Sequence, residues 1–319
     1  MSNQKYAKNF ELRTMNCPAC DHEDFTIGSF SVVSPWVTQL ADVKGRIFPE
    51  YKICKFCDSG WFGINYSEQI LGGLYKSYRG PNYFEIRNSW EPTYTKELNS
   101  NLNNGEKWLV GRRRQILMAL ETAGVKPQGM QSVLDFGGGH GGVMPTFSKR
   151  YLLEANEEVM PEPGVELVRN LIEAKTIDLD LVMCCGVLEH LNSPIEVIKS
   201  ILELNSSVFL FEVPTGTPTK RVGPAGSRGF LGLIASTRLF WRIIQKIERK
   251  SGRRWRKYFP LRCSEHLQFF SESGLRRLLE RSGLEVLLIS ETKPNESLAD
   301  EKNLGFEAGL IAVCKKSTN

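Results

Sequence analysis

The segment 132–147, SVLDFGGGHGGVMPTF, constrains the fold more than any other part of this chain. An apolar run ends in an acid and is followed at once by a cluster of glycines. The apolar run predicts a buried strand, and Gly137, Gly139 and Gly141 allow the backbone to approach a ligand closely. We expect a helix after the glycines, with unpaired N–H groups at its first turn. The segment therefore predicts a ligand site at the end of a strand in an α/β fold.

Asp135 favours one class of ligand for this loop. Gly137, Gly139 and Gly142 also satisfy the G-x-G-x-x-G spacing of dinucleotide-binding proteins, whose loop holds a pyrophosphate. A carboxylate two residues before Gly137 suits a cationic amino group better than a diphosphate, which favours S-adenosylmethionine over NAD. Glu154 is placed to accept hydrogen bonds from two ribose hydroxyls, and either cofactor would use it. A glycine-rich turn without a ligand is the remaining alternative.

Apolar runs and helical patterns alternate through the second part of the chain. Strands are predicted at 132–136, 151–153, 165–168, 181–185, 208–213, 284–289 and 310–313. Helices are predicted before Gly124, from Ser193-Pro194 onward, and between Ser271 and Gly283. This alternation predicts an α/β fold with a doubly wound, mostly parallel seven-stranded sheet.

Two C-x2-C pairs precede this domain. The four cysteines are Cys17 and Cys20 in the first pair, and Cys54 and Cys57 in the second. Four thiolates suffice for a closed tetrahedral site, so we expect a structural Zn²⁺ with no open position for water. A redox pair, a lost metal or another metal are the alternatives. Cys184, Cys185 and Cys314 fall in predicted strands and are expected to be core thiols.

Composition divides the chain into three parts. Residues 1–62 predict a small zinc-binding β module with strands at 25–33 and 46–53, and residues 63–105 predict a partly helical connector. Residues 106–319 form the predicted main domain.

The first residues lack the apolar core of a secretory signal, and no apolar run reaches the ~20 residues of a membrane span. We therefore expect a cytoplasmic protein, in which thiols stay reduced.

A basic insertion is predicted at 215–262 within the main domain. Between Lys220 and Arg262 the chain has thirteen Lys or Arg residues and a single acid, Glu248. Apolar residues interleave with these cations, as in an amphipathic basic helix. It is either a solvated lid or a contact, through 229–257, with an anionic membrane surface or a diphosphate-bearing lipid-linked substrate. RNA is a further alternative, because arginine-rich tracts with Trp hold phosphates and stack on bases.

Four segments of the chain resemble the class I S-adenosylmethionine-dependent methyltransferases. They are LDFGGGHGG at 134–142, LEANEE at 153–158, DLVMCCGVLEHLNSP at 180–194 and EHLQFFSESGLRRLLERSGLEV at 265–286. The resemblance assigns Asp135, Gly137 and Gly139 to the methionine and ribose, Glu154 to the ribose and Asn170 to the adenine. It also places Cys185 beside the cofactor. Gly141 belongs to the same predicted loop. The family often has Asp where this chain has Asn170.

Two histidines are candidates for the base that such a transfer often needs. His190 follows Glu189 after the predicted strand 181–185, at the carboxyl edge where doubly wound sheets bind ligands. His266 follows Glu265 and precedes an aromatic pair. We expect both edges to converge on one cleft, with Glu265, His266 and His190 as catalytic candidates. A structural role for His266 as an anchor of its loop is the alternative.

The two cysteine pairs and the Glu265-His266 loop together resemble a subset of these enzymes. That subset methylates nucleotide-linked deoxysugars at carbon, and its Glu and His serve near the sugar. Cys263 stands where those enzymes often have Tyr. Methylation at oxygen of a sugar or secondary metabolite is equally consistent. RNA methylation and a cofactor-binding regulatory or scaffolding role are the other functions that we consider.

Overall fold

The computed structural model describes residues 10–12, 16–45, 47–156, 158–214, 237–251, 261–292 and 309–317. The strands are β1 Phe10–Leu12, β2 Phe25–Val33, β3 Glu50–Cys54, β4 Gly60–Phe62, β5 Ile64–Tyr66, β6 Ser132–Phe136, β7 Lys149–Leu153, β8 Val165–Val168, β9 Leu181–Cys185, β10 Val208–Pro214, β11 Leu261–Cys263, β12 Gln268–Phe269, β13 Leu284–Glu291 and β14 Gly309–Lys316. The helices are α1 Pro35–Leu40, α2 Glu68–Tyr75, α3 Pro81–Trp90, α4 Lys96–Asn104, α5 Glu106–Thr122, α6 Leu171–Ala174, α7 Pro194–Leu202, α8 Arg238–Ser251 and α9 Glu272–Arg281.

The chain divides into two compact units. One comprises residues 1–17, 21–99 and 218–268, and the other comprises residues 18–20, 100–217 and 269–319. The second unit contains a seven-stranded sheet with the strand order β13–β14–β10–β9–β6–β7–β8. Strand β14 is antiparallel to both of its neighbours, while the pairs from β10 to β8 are parallel. The predicted α/β fold with a mostly parallel seven-stranded sheet is confirmed.

The central strands of the sheet in the second unit are apolar and buried. All five residues of β9 are buried, and β9 lies between β6 and β10. Helix α5 packs Ile116 and Leu120 into the same core as Val133 and Val313. The helix ends where Gly124 adopts a φ of +77°, a conformation that favours glycine. Helix α9 begins as predicted, because the Ser271 hydroxyl accepts a 2.9 Å hydrogen bond from the Gly274 N–H.

The helix predicted after the glycine loop is wrong. Residues 137–148 are all described, and they form turns that lead directly into β7. Glycines disfavour the helical conformation, and Pro145 falls where the helix would continue. The loop is closed instead by its own backbone, with the Gly141 N–H donating to the Gly138 carbonyl at 3.0 Å. No helix N-terminus therefore points at the ligand site from this segment.

The first unit contains a five-stranded sheet with the order β11–β2–β3–β4–β12, and a pair formed by β1 and β5. The strand predicted at 25–33 is confirmed as β2. The strand predicted at 46–53 is confirmed only in part, because β3 begins at Glu50, residues 47–49 are not in a strand, and residue 46 lies outside the described part. The core of this unit is aromatic. Its largest fully buried side chains are those of Trp36, Tyr51, Trp61, Phe62, Tyr66 and Tyr83.

The predicted basic insertion at 215–262 is described only in part. Most of the predicted basic insertion, at 215–236 and 252–260, lies outside the described residues, and α8 and β11 are its described parts. Among the helices that the structure describes, none combines the length and the apolar character that a bilayer span requires.

Candidate functional site

Asp135 is a fully buried carboxyl group near the end of β6. Neither of its oxygens has a hydrogen-bond partner among the described residues. Burial raises its pKa to about 7, the Arg112 guanidinium opposes this rise, and Glu154 and Glu212 add to it. A buried, unpaired carboxyl group is costly, and a bound ammonium group would supply the missing partner.

The glycine loop lies directly against this carboxyl group. A Cβ atom added to Gly138 would come within 2.0 Å of Asp135 Oδ2, so any side chain there would collide with the acid. Gly137 has a φ of +69°, and its N–H donates to the Leu153 carbonyl at 2.8 Å. The loop therefore offers bare backbone beside a carboxylate, which a ligand can approach closely.

Glu154 follows β7 and is bound to the same loop. Its Oε2 accepts a 2.9 Å hydrogen bond from the Gly139 N–H, and its Oε1 accepts one of 3.0 Å from the Asn156 N–H. Each carboxylate oxygen has two lone pairs, so both oxygens can still accept a hydrogen bond from a ligand hydroxyl. The structure thus brings Asp135, the glycines and Glu154 to one edge of the sheet.

Arg112 and Glu212 form an ion pair that the sequence analysis missed. Arg112 lies on α5 and Glu212 on β10, and the Arg112 Nε is 3.1 Å from Glu212 Oε2. Burial disfavours the charged guanidinium and is the largest single effect. Glu212, together with Cys185 and Asp135, nevertheless raises the pKa of Arg112 overall. A lone acid in the apolar run VFLFEVP was the available signal for Glu212, whereas Arg112 is one of three consecutive arginines.

Cys185 ends β9 in the same unit. Its thiol is buried, and this burial is the main reason why its pKa is raised well above the ordinary value. The carboxyl groups of Glu212 and Asp135 raise the pKa further. Burial likewise raises the pKa of Cys184 and of Cys314, the latter to about 12. All three thiols lie in strands and are protonated at neutral pH, as expected of core cysteines.

Glu189 and His190 lie in a short 3₁₀ turn after β9. Burial raises the pKa of Glu189 to about 8, and its Oε2 has no hydrogen-bond partner among the described residues. The His190 Nε2 is 3.6 Å from Glu189 Oε1. Asn170 is exposed and caps α6, since its side-chain oxygen accepts a 3.0 Å hydrogen bond from the Glu173 N–H.

Four cysteines form a compact cluster. The sulfur atoms of Cys17, Cys20, Cys54 and Cys57 all lie within 4.8 Å of one another. The two turns share one geometry: Asp21 donates its N–H to Cys17 O at 2.8 Å and Asp58 to Cys54 O at 3.1 Å. Both aspartates have positive φ values, of 66° and 59°. Four convergent sulfurs in paired turns could hold a metal ion.

Glu265 and His266 lie in the first unit, just after β11. Glu265 is buried, accepts a hydrogen bond from the Tyr83 hydroxyl, and lies 3.1 Å from the Arg87 Nη1. Burial raises the pKa of Glu265 to about 7, and the Arg79 charge opposes this rise. Burial lowers the pKa of His266 to about 4, with Arg87 and Arg79 lowering it further. Tyr83 and Arg87, both on α3, were missed because nothing in the sequence joins them to residue 265.

A model of the methyltransferase-domain family matches residues 109–289, which is more than half of the chain. The chain belongs to this family. The match covers β6 to β10 and with them Asp135, the glycine loop and Glu154. With its seven-stranded sheet, the protein is a class I S-adenosylmethionine-dependent methyltransferase.

Solved structures of other methyltransferases are similar to this one. Magnesium protoporphyrin IX methyltransferase (ChlM) from Synechocystis PCC 6803, with bound SAH, is 14% identical and has a TM-score of 0.42. That similarity covers 79% of this chain and 100% of the other. An S-adenosylmethionine-dependent methyltransferase from Mesorhizobium loti is 12% identical over 62% of this chain and 96% of its own, with a TM-score of 0.36. None of the curated proteins matches this methyltransferase in sequence.

Proposed function

We propose that this methyltransferase modifies a sugar, a nucleotide- or lipid-linked sugar, or a similar small metabolite, at carbon or oxygen. The observation that carries the proposal is the buried carboxyl group of Glu265, which Tyr83 and Arg87 hold in place. His266 follows it directly in the chain, and burial lowers the pKa of this histidine to about 4, so its imidazole is neutral at pH 7. A neutral imidazole can take the proton that the acceptor loses. The chemistry supplied by bound S-adenosylmethionine is an electrophilic methyl group.

Glu265 is proposed to orient the acceptor beside His266. Tyr83 and Arg87 both engage its Oε1, so the carboxyl group is held in one position. A fixed carboxyl group can bind a hydroxyl of the acceptor and hold the reacting atom in line, which lowers the entropic cost of the reaction. His190, beside the buried Glu189, is proposed as a further catalytic candidate.

The cofactor assignments follow from the sheet edge. Asp135 is proposed to bind the amino group of the cofactor, and Glu154 to accept from the ribose hydroxyls. The loop glycines Gly137, Gly139 and Gly141 are proposed to line the bound cofactor. The remaining proposed contacts are the Asn170 amide with the adenine and Cys185 beside the cofactor.

The cysteine cluster is proposed to hold a structural Zn²⁺. The 3.6 Å between the sulfurs of Cys17 and Cys57 agrees with the roughly 3.8 Å edge of a tetrahedron with Zn–S bonds of about 2.3 Å. A disulfide would need sulfurs at about 2.05 Å, and none of the four cysteines forms one in the structure. We propose residues 1–62 as the zinc module, 63–105 as the connector and 106–319 as the catalytic domain, in a reducing compartment such as the cytoplasm.

The acceptor proposal is tested with the purified full chain and methyl-labelled cofactor. Sugar nucleotides, lipid-linked sugars and RNA are offered in parallel, and the labelled product is identified by mass spectrometry. We expect label in a sugar-containing product, and about 10²- to 10⁴-fold slower turnover in His266→Gln. Calorimetry with S-adenosylhomocysteine should give the same Kd for that variant and the wild type. Label in RNA alone, or unchanged turnover in His266→Gln, would contradict the proposal.

The zinc proposal is tested by metal analysis of Cys54→Ser, with Cys184→Ser as the matched control. We expect about one zinc per chain in the wild type and in the control, and a loss of zinc with a lower Tm in Cys54→Ser. Equal zinc content in all three proteins, or none in the wild type purified without chelator, would exclude a zinc site at this cluster.

A further inference from the structure

Helix α8, Arg238–Ser251, presents a row of apolar side chains to solvent. Leu239 is 69% exposed, Ile243 48% and Ile247 41%. These residues are four apart, so they follow one another along the same face of the helix. Single exposed apolar residues are ordinary on a protein surface, but a continuous row over two turns marks a contact surface.

A second row on the same helix is basic. Arg242, Lys246 and Lys250 are all exposed and are also four residues apart. Each lies three residues after a member of the apolar row, so the two rows are neighbours along the helix. We call the two rows together the α8 surface.

The opposite side of α8 is held by its own unit. Ile244 is only 8% exposed, and α8 contacts helix α3, Pro81–Trp90. The helix is therefore anchored on one side while the α8 surface faces outward. In the sequence, Gly252 separates the helix from the run RRWRK at 253–257, which carries four positive charges.

We propose that the α8 surface binds an anionic lipid surface. A membrane of this kind has the two properties that match the two rows: phosphates for the cations and an apolar layer beneath them for the exposed leucine and isoleucines. The long Arg and Lys side chains reach the phosphates while the apolar row enters the layer. Outside residues 220–262 the chain has a net negative charge, so attraction to anionic lipid is concentrated in this segment.

A nucleic acid fits this surface less well. RNA phosphates would use the basic row, but they leave the three exposed apolar side chains of the neighbouring row in water. A second copy of the chain could cover the apolar row, but it would bring the two basic rows close together, and like charges repel. The lipid surface is the one occupant that uses both rows.

The test is co-sedimentation of the full chain with vesicles of phosphatidylcholine, with or without about a third of phosphatidylserine. We expect binding to the anionic vesicles only, and weaker binding as salt is added. Lys246→Gln should weaken binding by about fivefold, while the control Lys126→Gln should leave it unchanged. Ile243→Gln should also weaken binding, and its control is Met118→Gln, since Met118 is 54% exposed on helix α5.

A triple variant, Leu239→Gln with Ile243→Gln and Ile247→Gln, should abolish vesicle binding. Its fold is checked by circular dichroism, and if it fails to fold, the two single variants and their controls decide. Several results would overturn the proposal. The first two are absence of binding to anionic vesicles and equal binding to neutral ones. The third is binding to single-stranded RNA that is tighter than binding to vesicles and that Lys246→Gln weakens. The fourth is a wild-type dimer that the apolar variants convert to monomer.

Discussion

The backbone N–H of Gly139 donates a 2.9 Å hydrogen bond to Oε2 of Glu154. This bond connects the glycine loop after β6 with the first residue after β7. Since the Asn156 N–H binds the other oxygen, the carboxylate is held from both sides and cannot rotate freely. The loop and the acid therefore form one preorganised surface, to which we propose the cofactor binds, and residues 137–148 contribute no helix N-terminus to it.

Glu154→Gln should weaken the binding of S-adenosylhomocysteine about ten- to a hundredfold. The amide keeps the shape of the side chain but replaces one acceptor oxygen by a donor, and a hydrogen bond to a charged group contributes about 1.5–3 kcal/mol. Calorimetry measures the Kd, with Glu166→Gln on strand β8 as the exposed control. An unchanged Kd would show that Glu154 only shapes the loop.

The raised pKa of Asp135 predicts that cofactor affinity increases with pH. The carboxyl group is protonated well below its pKa of about 7 and charged above it. Only the charged form attracts an ammonium group, so the Kd for S-adenosylhomocysteine should fall between about pH 6 and about pH 8. Calorimetric titrations across this range measure the trend. Asp135→Asn should bind weakly and without this pH dependence.

Asp135 should also destabilise the ligand-free protein as pH rises. The folded pKa lies above the ordinary value of 3.8, so the folded state binds more protons than the unfolded state between about pH 4 and about pH 7. Stability therefore falls across that window, and Asp135→Asn should have the higher Tm above pH 7. Thermal unfolding without cofactor measures this, and a lower Tm for Asp135→Asn at about pH 8 would contradict the assigned shift.

Much of the sheet could be predicted because burial on both faces makes a strand apolar throughout. The run 181–185 is uninterrupted by polar residues, and its predicted limits agree with those of β9. The predicted strand 151–153 was too short, because β7 begins with Lys149 and Arg150, which lie nearer its exposed end. Period and composition reveal a strand's buried part and say little about where pairing begins.

Contacts between distant segments could not be predicted. Tyr83 and Glu265 are separated by 182 residues, and neither has a neighbour in the sequence that indicates the other.

The helix expected after the glycines is absent for a local reason. The expectation came from the usual order of strand, loop and helix in such folds. The glycine content and Pro145 oppose a helix there, and in this chain that local preference prevails.

Arg87 should control the pKa of His266 through its positive charge. Burial lowers that pKa most, and the Arg87 guanidinium lowers it further. Arg87→Met should therefore raise the His266 pKa above about 4, while Arg87→Lys should keep most of the depression. The histidine ring signals in nuclear magnetic resonance, followed against pH, measure the value directly. A His266 pKa that is the same in Arg87→Met and in the wild type would show that the Arg87 charge does not contribute to the depression.

The ion pair of Arg112 with Glu212 should matter for stability only as a pair. Both side chains are largely buried, so Arg112→Met leaves an uncompensated acid and should cost about 3–5 kcal/mol of unfolding free energy. Replacing both residues, as Arg112→Met with Glu212→Leu, removes the unpaired charge and should restore most of that loss. Urea unfolding of the ligand-free wild type, the two single variants and the double variant gives the coupling energy. If the losses of unfolding free energy in the two single variants simply add in the double variant, the two charges do not stabilise one another. Arg112 would then act mainly by opposing the rise in the Asp135 pKa.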